Sequence, residues 1–367
     1  MKIPRPNILI FTTRTGGGHM NLAQSLKEIL SVKYDVSIVD PYPDILHHYY
    51  AALSRHFLRL WDMQYTYTDN KVGALLLHYY LTFSIRKRVA ALLEQIKPEL
   101  IISTHSLLSY EIAWVNERQP KKIPLVFQLT DLEQTHVSWF TEKRADAYLS
   151  PTREIYVQAS RQGIDADRLH VTGRPVRSQF LRPPTSTRAD TLTSLGLSPT
   201  AFTIFLQGGA KGSAGIDRTV EGILTTEFPI QIILAAGNNT ALAAHFTSIE
   251  RLKVLPFTET IAPYMAASDL IVGKAGASFL SEAFMLEKPC LVTTFIPGQE
   301  APNLRFLERH NLGWVCLDAG AQKRLITTVV SHPTMMTEKV ASIRTYKAWN
   351  TQANHTIFPL IEELLFE

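Results

Sequence analysis

The most chemically suggestive run in the chain is Thr12-Thr-Arg-Thr-Gly-Gly-Gly-His19. It follows an apolar, strand-like stretch and precedes a helical pattern that the spacing predicts to begin near Met20 or Asn21. Glycines let the backbone turn sharply and approach a ligand. A helix start then offers free N–H groups and the positive end of its dipole. Histidine is the side chain best matched to base chemistry near neutral pH. His19, kept neutral by the dipole, is therefore the candidate base, with Gly17 and Gly18 beside it. The run is neither the dinucleotide fingerprint, since Asn21 stands where glycine is needed, nor a P-loop, which ends in Lys-Ser/Thr. A tight turn holding no ligand is the competing reading.

Two further glycine loops follow strand-like runs: Phe205-Leu-Gln-Gly-Gly-Ala-Lys-Gly-Ser-Ala-Gly215 and Gly273-Lys-Ala-Gly-Ala-Ser278. Both fall at strand ends, where doubly wound sheets bind ligands, and two anion sites suit a diphosphate. Glu282, one helical turn after Ser278, suits ribose hydroxyls, or is an ordinary acid facing the helix dipole. Gln299, Glu300 and Asn303 follow the next run and suit polyhydroxyl groups, or form a solvated turn around Pro297 and Gly298. Asp131 and His136 lie at and beyond the end of the run Leu125–Leu129. Asp131 either assists the base or caps the next segment; His136 takes no defined role.

Short apolar runs alternate with helical patterns from Ile8 to Leu317, the signature of βαβ units and parallel sheets. The alternation pauses at Arg182-Pro-Pro-Thr-Ser-Thr187. The 367 residues thus divide into two α/β domains facing a cleft, 1–181 and 182–344, with a final helical segment near 345–367. A composition of 46% hydrophobic and 19% charged residues excludes a disordered chain. A formal charge of +4 is too small to argue for nucleic acid. Two cysteines make neither a disulfide framework nor, unaided, a zinc site. No signal peptide and no apolar run long enough to span a bilayer is expected.

Residues 45–93 are aromatic and basic at helical spacing. Leu46, Tyr49, Tyr50, Leu53, Phe57, Leu60 and Trp61 repeat at helical spacing, and Leu75, Leu76, Tyr79, Tyr80 and Phe83 precede Arg86, Lys87 and Arg88. This reads as an element lying on a membrane surface, anionic lipid being its partner, or as helices packed on their own core.

Taken together, the motifs Thr15–His19, Leu129–Phe140, Gly173–Arg177, Gln207–Gly212, Ile271–Gly276 and Ser281–Asn303 resemble the monogalactosyldiacylglycerol synthases and processive diacylglycerol glucosyltransferases. More distantly they are similar to the N-acetylglucosaminyl transferase of lipid II synthesis. The resemblance implies a glycosyltransferase-B architecture of two doubly wound Rossmann-like domains. It also implies inverting, metal-independent transfer from a UDP-sugar, with no further cofactor, to diacylglycerol or a related glycolipid. By that resemblance Gly208, Gly209 and Gly212 lie along the diphosphate, and Lys274 and Gly276 face the nucleotide. Glu282 binds ribose, and Gln299, Glu300 and Asn303 bind the sugar. The last helix returns to the first domain. UDP-galactose and UDP-glucose both remain open as donors. Another hydrophobic acceptor, or a catalytically silent UDP-sugar-binding protein, are the alternatives. The expected location is peripheral, on the cytoplasmic face of a membrane. The sequence departs from the plant enzymes at Ala210-Lys211 and Ala277-Ser278.

Overall fold

The computed structural model describes residues 5–14, 17–207, 216–237, 239–247 and 249–366; within α-helical stretches the side chains of 50–51, 54–56 and 80–84 are not described. The chain forms two compact units. The first comprises Met1–Arg177, Ile296–Pro302 and Trp349–Glu367; the second comprises Ser178–Phe295 and Asn303–Ala348.

The first unit is built on a parallel sheet of six strands: β1 (Asn7–Phe11), β2 (Asp35–Val39), β3 (Leu100–Ser103), β4 (Leu125–Gln128), β5 (Ala147–Ser150) and β6 (Leu169–Val171). Their order is β2-β1-β3-β4-β5-β6. β1 therefore lies between β2 and β3, and the winding reverses beside it, which opens a crevice at the carboxyl ends of the strands. Alternation along β1 serves both faces. Ile8 and Ile10 pack with Ala23, Leu26 and Leu30 of α1 (Gly17–Leu30). Leu9 and Phe11 pack on the other face, with Ile85, Val89 and Ile112. Such two-sided burial explains why the strand reads as an unbroken apolar run.

Between β2 and β3 stand three helices: α2 (Asp44–His56), α3 (Leu58–Thr68) and α4 (Lys71–Ile96). The region expected to be lipid-facing is thus broken at Phe57 and again at Asp69–Asn70. Asn70 caps α4 by accepting from Gly73 N at 2.9 Å. Gly73 is needed there, because a Cβ would sit 2.5 Å from the Tyr67 carbonyl oxygen. Then come α5 (Ser106–Asn116) and α6 (Arg153–Arg161).

The second unit carries α7 (Arg188–Ser194) and a second parallel sheet. Its strands are β7 (Phe202–Gln207), β8 (Ile230–Ala235), β9 (Leu252–Leu255), β10 (Leu270–Lys274), β11 (Cys290–Thr294) and β12 (Gly313–Val315), in the order β12-β11-β10-β7-β8-β9. The helices that follow β7 along the chain are α8 (Ile216–Leu224), α9 (Thr240–His245), α10 (Ala262–Ala266), α11 (Ala277–Met285), α12 (Ala301–Arg309), α13 (Ala319–Ser331) and α14 (Pro333–Asn354), of which α12 begins and α14 ends in residues of the first unit. Here the winding reverses between β7 and β10, which places the β10–α11 turn with Gly276 at the switch point.

The last helix, α15 (Ile357–Phe366), belongs to the first unit. Ile357 and Ile361 enter the core beneath α1. Phe358 stacks on Tyr34 with ring centroids 5.5 Å apart, and Lys33 meets Glu362 at 3.1 Å. Among the described residues no helix is long and apolar enough to cross a membrane.

Candidate active site

His19 occupies the first turn of α1, which starts at Gly17 rather than near Met20. Gly17 and Gly18 are therefore exposed helical residues and not a loop. The helix can begin there because its first N–H groups need no intrahelical partner, so weak helix formers cost little. His19 Nδ1 lies 2.8 Å from the Thr104 carbonyl oxygen. Thr104 directly follows β3 and ties that strand end to β1, with its N–H on the Phe11 carbonyl at 3.0 Å and its hydroxyl on Thr12 Oγ1 at 2.9 Å. A carbonyl only accepts, so His19 Nδ1 carries the hydrogen and Nε2 keeps its lone pair. Burial pushes the His19 pKa down to about 4; the Thr104 bond opposes this and the Arg174 charge adds to it. Burial, more than the helix dipole, thus keeps the imidazole neutral.

A second histidine stands beside it. The His105 ring meets His19 edge-on, with centroids 4.5 Å apart. Its Nδ1 accepts the Leu107 N–H at 3.3 Å and so caps α5. Burial, then the neighbouring His19, His47 and His78, holds His105 well below the usual histidine range.

Asp131 follows β4. One of its carboxylate oxygens, Oδ2, accepts from the hydroxyls of Thr130 at 3.2 Å and Thr135 at 3.0 Å. Burial raises its pKa to about 6, against the pull of Thr135, Arg174 and Thr130, with the Glu300 charge adding to the rise. Arg174 is itself buried and donates to the Thr130 carbonyl. Its backbone is held by one side chain: Arg174 N donates to Asn350 Oδ1 at 2.7 Å, and Asn350 Nδ2 donates to Arg174 O at 3.1 Å. Gly173, at φ +70, is required here, since a Cβ would lie 2.6 Å from Asn354 Nδ2 and 2.8 Å from Asn350 Oδ1.

His136 has a structural place. Its Nδ1 accepts the Ser138 N–H at 3.2 Å, which leaves Nε2–H to face Thr68 Oγ1 at 3.2 Å and Asp69 at 4.0 Å. It joins the end of α3 to the turn at Val137–Trp139.

In the second unit, Lys274 ends β10, and Gly276 stands at the N-cap of α11 with no side chain to cap that helix start. Gly273 permits the close approach of β10 to β7, because a Cβ would lie 2.5 Å from Gln207 O. Glu282 is buried in α11. Asn303 is fully buried and donates to Ala275 O at 2.9 Å, so its amide holds the β10–α11 loop. Gly208, Gly209 and Gly212 lie outside the described residues.

Glu300 and Gln299 fall in the Ile296–Pro302 segment of the first unit. Glu300 Oε2 accepts from Ile296 N at 2.8 Å, closing a small loop, while Gln299 stays partly exposed. Of the residues assigned to the membrane, Trp61 is half-buried and packs toward Tyr65 at 6.5 Å. Arg86 stacks on Trp114 at 3.5 Å from the ring centroid. Lys87 and Arg88 are exposed, with Arg88 also donating to Pro41 O at 3.3 Å.

Thr104, His105, Arg174 and Asn350 were not singled out from residue types. The one signal in the sequence is position, since Thr104-His105 directly follows the strand-like run Leu100–Ser103.

Each unit is thus an α/β body built on a six-stranded parallel sheet with a switch point in its strand order. Residues 19–176 match the monogalactosyldiacylglycerol (MGDG) synthase family and residues 203–353 match the glycosyltransferase family 28 C-terminal domain. Over these two stretches the chain is similar to this family. It is 28% identical over 330 residues to the probable monogalactosyldiacylglycerol synthase 3, chloroplastic, of Oryza sativa subsp. japonica, covering 84% of this chain and 64% of that protein. It is 28% identical over 338 residues to monogalactosyldiacylglycerol synthase 2, chloroplastic, of Arabidopsis thaliana, covering 84% of this chain and 70% of that one. Among solved structures, Acinetobacter baumannii MurG superposes with a TM-score of 0.64 at 15% identity, over 98% of this chain and 99% of its own. Anabaena HepE in complex with UDP-glucose gives 0.58 at 15% identity, over 98% and 99%. These likenesses show the glycosyltransferase-B fold.

Proposed function

We propose that this chain transfers a hexose, from UDP-galactose or UDP-glucose, to diacylglycerol or a related glycolipid at a membrane surface. The names of the curated relatives and the UDP-glucose held by a structural neighbour support the donor and acceptor. The observation that carries the reading is His19, a neutral imidazole with its free nitrogen fixed by Thr104, at the switch point of the first sheet.

The acceptor hydroxyl gives its proton to His19 Nε2 as its oxygen bonds to the anomeric carbon. The bond from that carbon to the UDP oxygen breaks on the opposite face, with inversion. The depressed His19 pKa makes it a reluctant base on its own. Asp131, ionised above about pH 6, supplies the negative charge that steadies the imidazolium as it forms. The helix start after Gly276, together with Lys274, receives the charge developing on UDP, and no step in this scheme uses a metal. Gly208, Gly209 and Gly212 follow the diphosphate, Glu282 takes the ribose, and Gln299 and Glu300 take the sugar. Asn303 acts through the loop it holds.

Membrane contact is assigned to the outer faces of α2–α4. Phe57, Leu60, Met63, Tyr67, Val72 and Leu76 are all more than half exposed, a density of large apolar side chains that calls for a partner. Lys87 and Arg88 add attraction to anionic lipid, about 1 kcal/mol each. The test is incubation with a panel of UDP-sugars and diacylglycerol vesicles, followed by lipid mass spectrometry. Mass gain of one hexose on diacylglycerol is expected; a chain that binds UDP-sugar yet modifies no lipid contradicts the proposal.

A further inference from the structure

Tyr65 sits on α3, in the region whose outer face is exposed and apolar, but its own ring is turned inward. It lies directly on Gly298. A Cβ at Gly298 would be 2.6 Å from Tyr65 Cδ1 and 2.9 Å from Cγ, so the ring fills the space a side chain would take. Gly298 has φ +71, the left-handed conformation that glycine adopts without strain. The segment around it is closed on itself. Glu300 N donates to Ile296 O at 2.9 Å, Gln299 N donates to Pro297 O at 2.8 Å, and Ile296 N donates to Glu300 Oε2 at 2.8 Å. A loop with this many internal bonds moves as one piece, so a contact at Gly298 sets where Gln299 and Glu300 stand.

Tyr65 is fixed in turn. The His136 ring meets it edge-on with centroids 4.7 Å apart. Nε2 of His136 is held at Thr68 Oγ1, one turn further along α3. The same patch reaches the acidic part of the site. Burial, then the charges of Asp131 and Asp69, holds the Tyr65 phenol above its ordinary range, and Glu300 acts likewise on Asp131.

We propose that Tyr65 is a positioning residue for the donor sugar: its ring seats the Ile296–Glu300 loop through Gly298 and so places Gln299 and Glu300 relative to Asp131. The inference rests on the reading of Gln299 and Glu300 as sugar-binding groups. It assigns to α3 a duty separate from lipid contact, since the helix shows Leu60, Met63 and Tyr67 to solvent and Tyr65 to the loop.

The test uses the full chain with Tyr65→Ala, Tyr65→Phe, Gly298→Ala and the Tyr65→Ala/Gly298→Ala double variant. Michaelis constants are measured separately for UDP-sugar and for vesicle lipid, alongside thermal melting. Tyr65→Ala should raise the KM for UDP-sugar by about tenfold while the lipid KM stays within about twofold. Tyr65→Phe, which keeps the ring, should stay within about threefold of the unaltered chain. The double variant should be no worse than the poorer single one, because residues in contact do not add. The proposal is overturned by an unchanged donor KM in Tyr65→Ala, by Tyr65→Phe as impaired as Tyr65→Ala, or by additive losses in the double variant. Calorimetric titration with UDP-galactose and UDP-glucose separates this from the transferase reading. A chain that binds donor without transferring it still tests Tyr65 through donor affinity, and a chain that binds neither nucleotide sugar overturns both.

Discussion

His19 Nδ1 stands 2.8 Å from the carbonyl oxygen of Thr104, and that one bond decides which ring nitrogen is available to an acceptor. Because the partner is a backbone carbonyl at the end of β3, the tautomer is set by the sheet itself. With a pKa near 4, the imidazole is neutral throughout the physiological range.

His19→Gln is the sharpest probe of this arrangement. Glutamine can still donate to Thr104, but it has no basic nitrogen. We expect kcat to fall by about 10²–10⁴-fold, the usual contribution of a positioned base, with the donor KM little changed. Near-normal turnover in steady-state assays would remove His19 from the chemistry.

Asp131 predicts both a pH profile and a stability effect. Activity should fall on the acid side as Asp131 protonates near pH 6. The stability sign follows from linkage. Its folded pKa is raised above the ordinary 3.8, so the group favours the folded state fully below about pH 3.8, and this is lost as pH rises through about 6. Asp131→Asn should therefore lose the acid limb and most activity, yet melt higher than the unaltered chain at pH 7 to 8. Melting below it at that pH would contradict the burial-driven shift.

Asn350 offers a stability test without touching any group assigned to chemistry. Asn350→Ala strands both the N–H and the carbonyl of buried Arg174, at about 1–3 kcal/mol for each group left unsatisfied. Denaturant unfolding should show the midpoint drop. An unchanged midpoint would mean that the Gly173–Arg174 turn is held by other contacts.

The lipid face separates two kinds of basic residue. Neutralising Lys87 should weaken co-sedimentation with anionic vesicles and leave melting unchanged. Arg86→Ala should instead lower the melting point, because its guanidinium stacks on Trp114. Replacing Leu60 and Met63 together by serine should reduce vesicle binding at every lipid composition. Binding that ignores both changes would place the membrane contact elsewhere.

Much of this was legible in the sequence where one side chain or one strand governs the outcome. β1 reads as an unbroken apolar run because both its faces are buried, and the helix carrying Leu22, Ala23, Leu26 and Leu30 reads from the spacing of its buried face. What stayed hidden depends on partners far apart in sequence. Nothing near Tyr65 indicates that its ring will meet Gly298, and nothing near Arg174 announces Asn350. The stripe that includes Trp61 read as lipid-facing, yet breaks at Phe57 and Asp69–Asn70 turn α3 so that Trp61 packs toward Tyr65 while Leu60 and Met63 face outward. Asn303 reads as a sugar ligand by type, and only the fold reveals that its amide nitrogen also holds Ala275 O.

The most direct test of the central claim is the anomeric configuration of the lipid product, read by proton NMR after reaction of the purified chain with an α-linked UDP-hexose and diacylglycerol vesicles. The account predicts a β-linked hexosyl-diacylglycerol, absent when His19→Gln replaces the unaltered chain. An α-linked product, or β-linked product formed equally well by the variant, would contradict it.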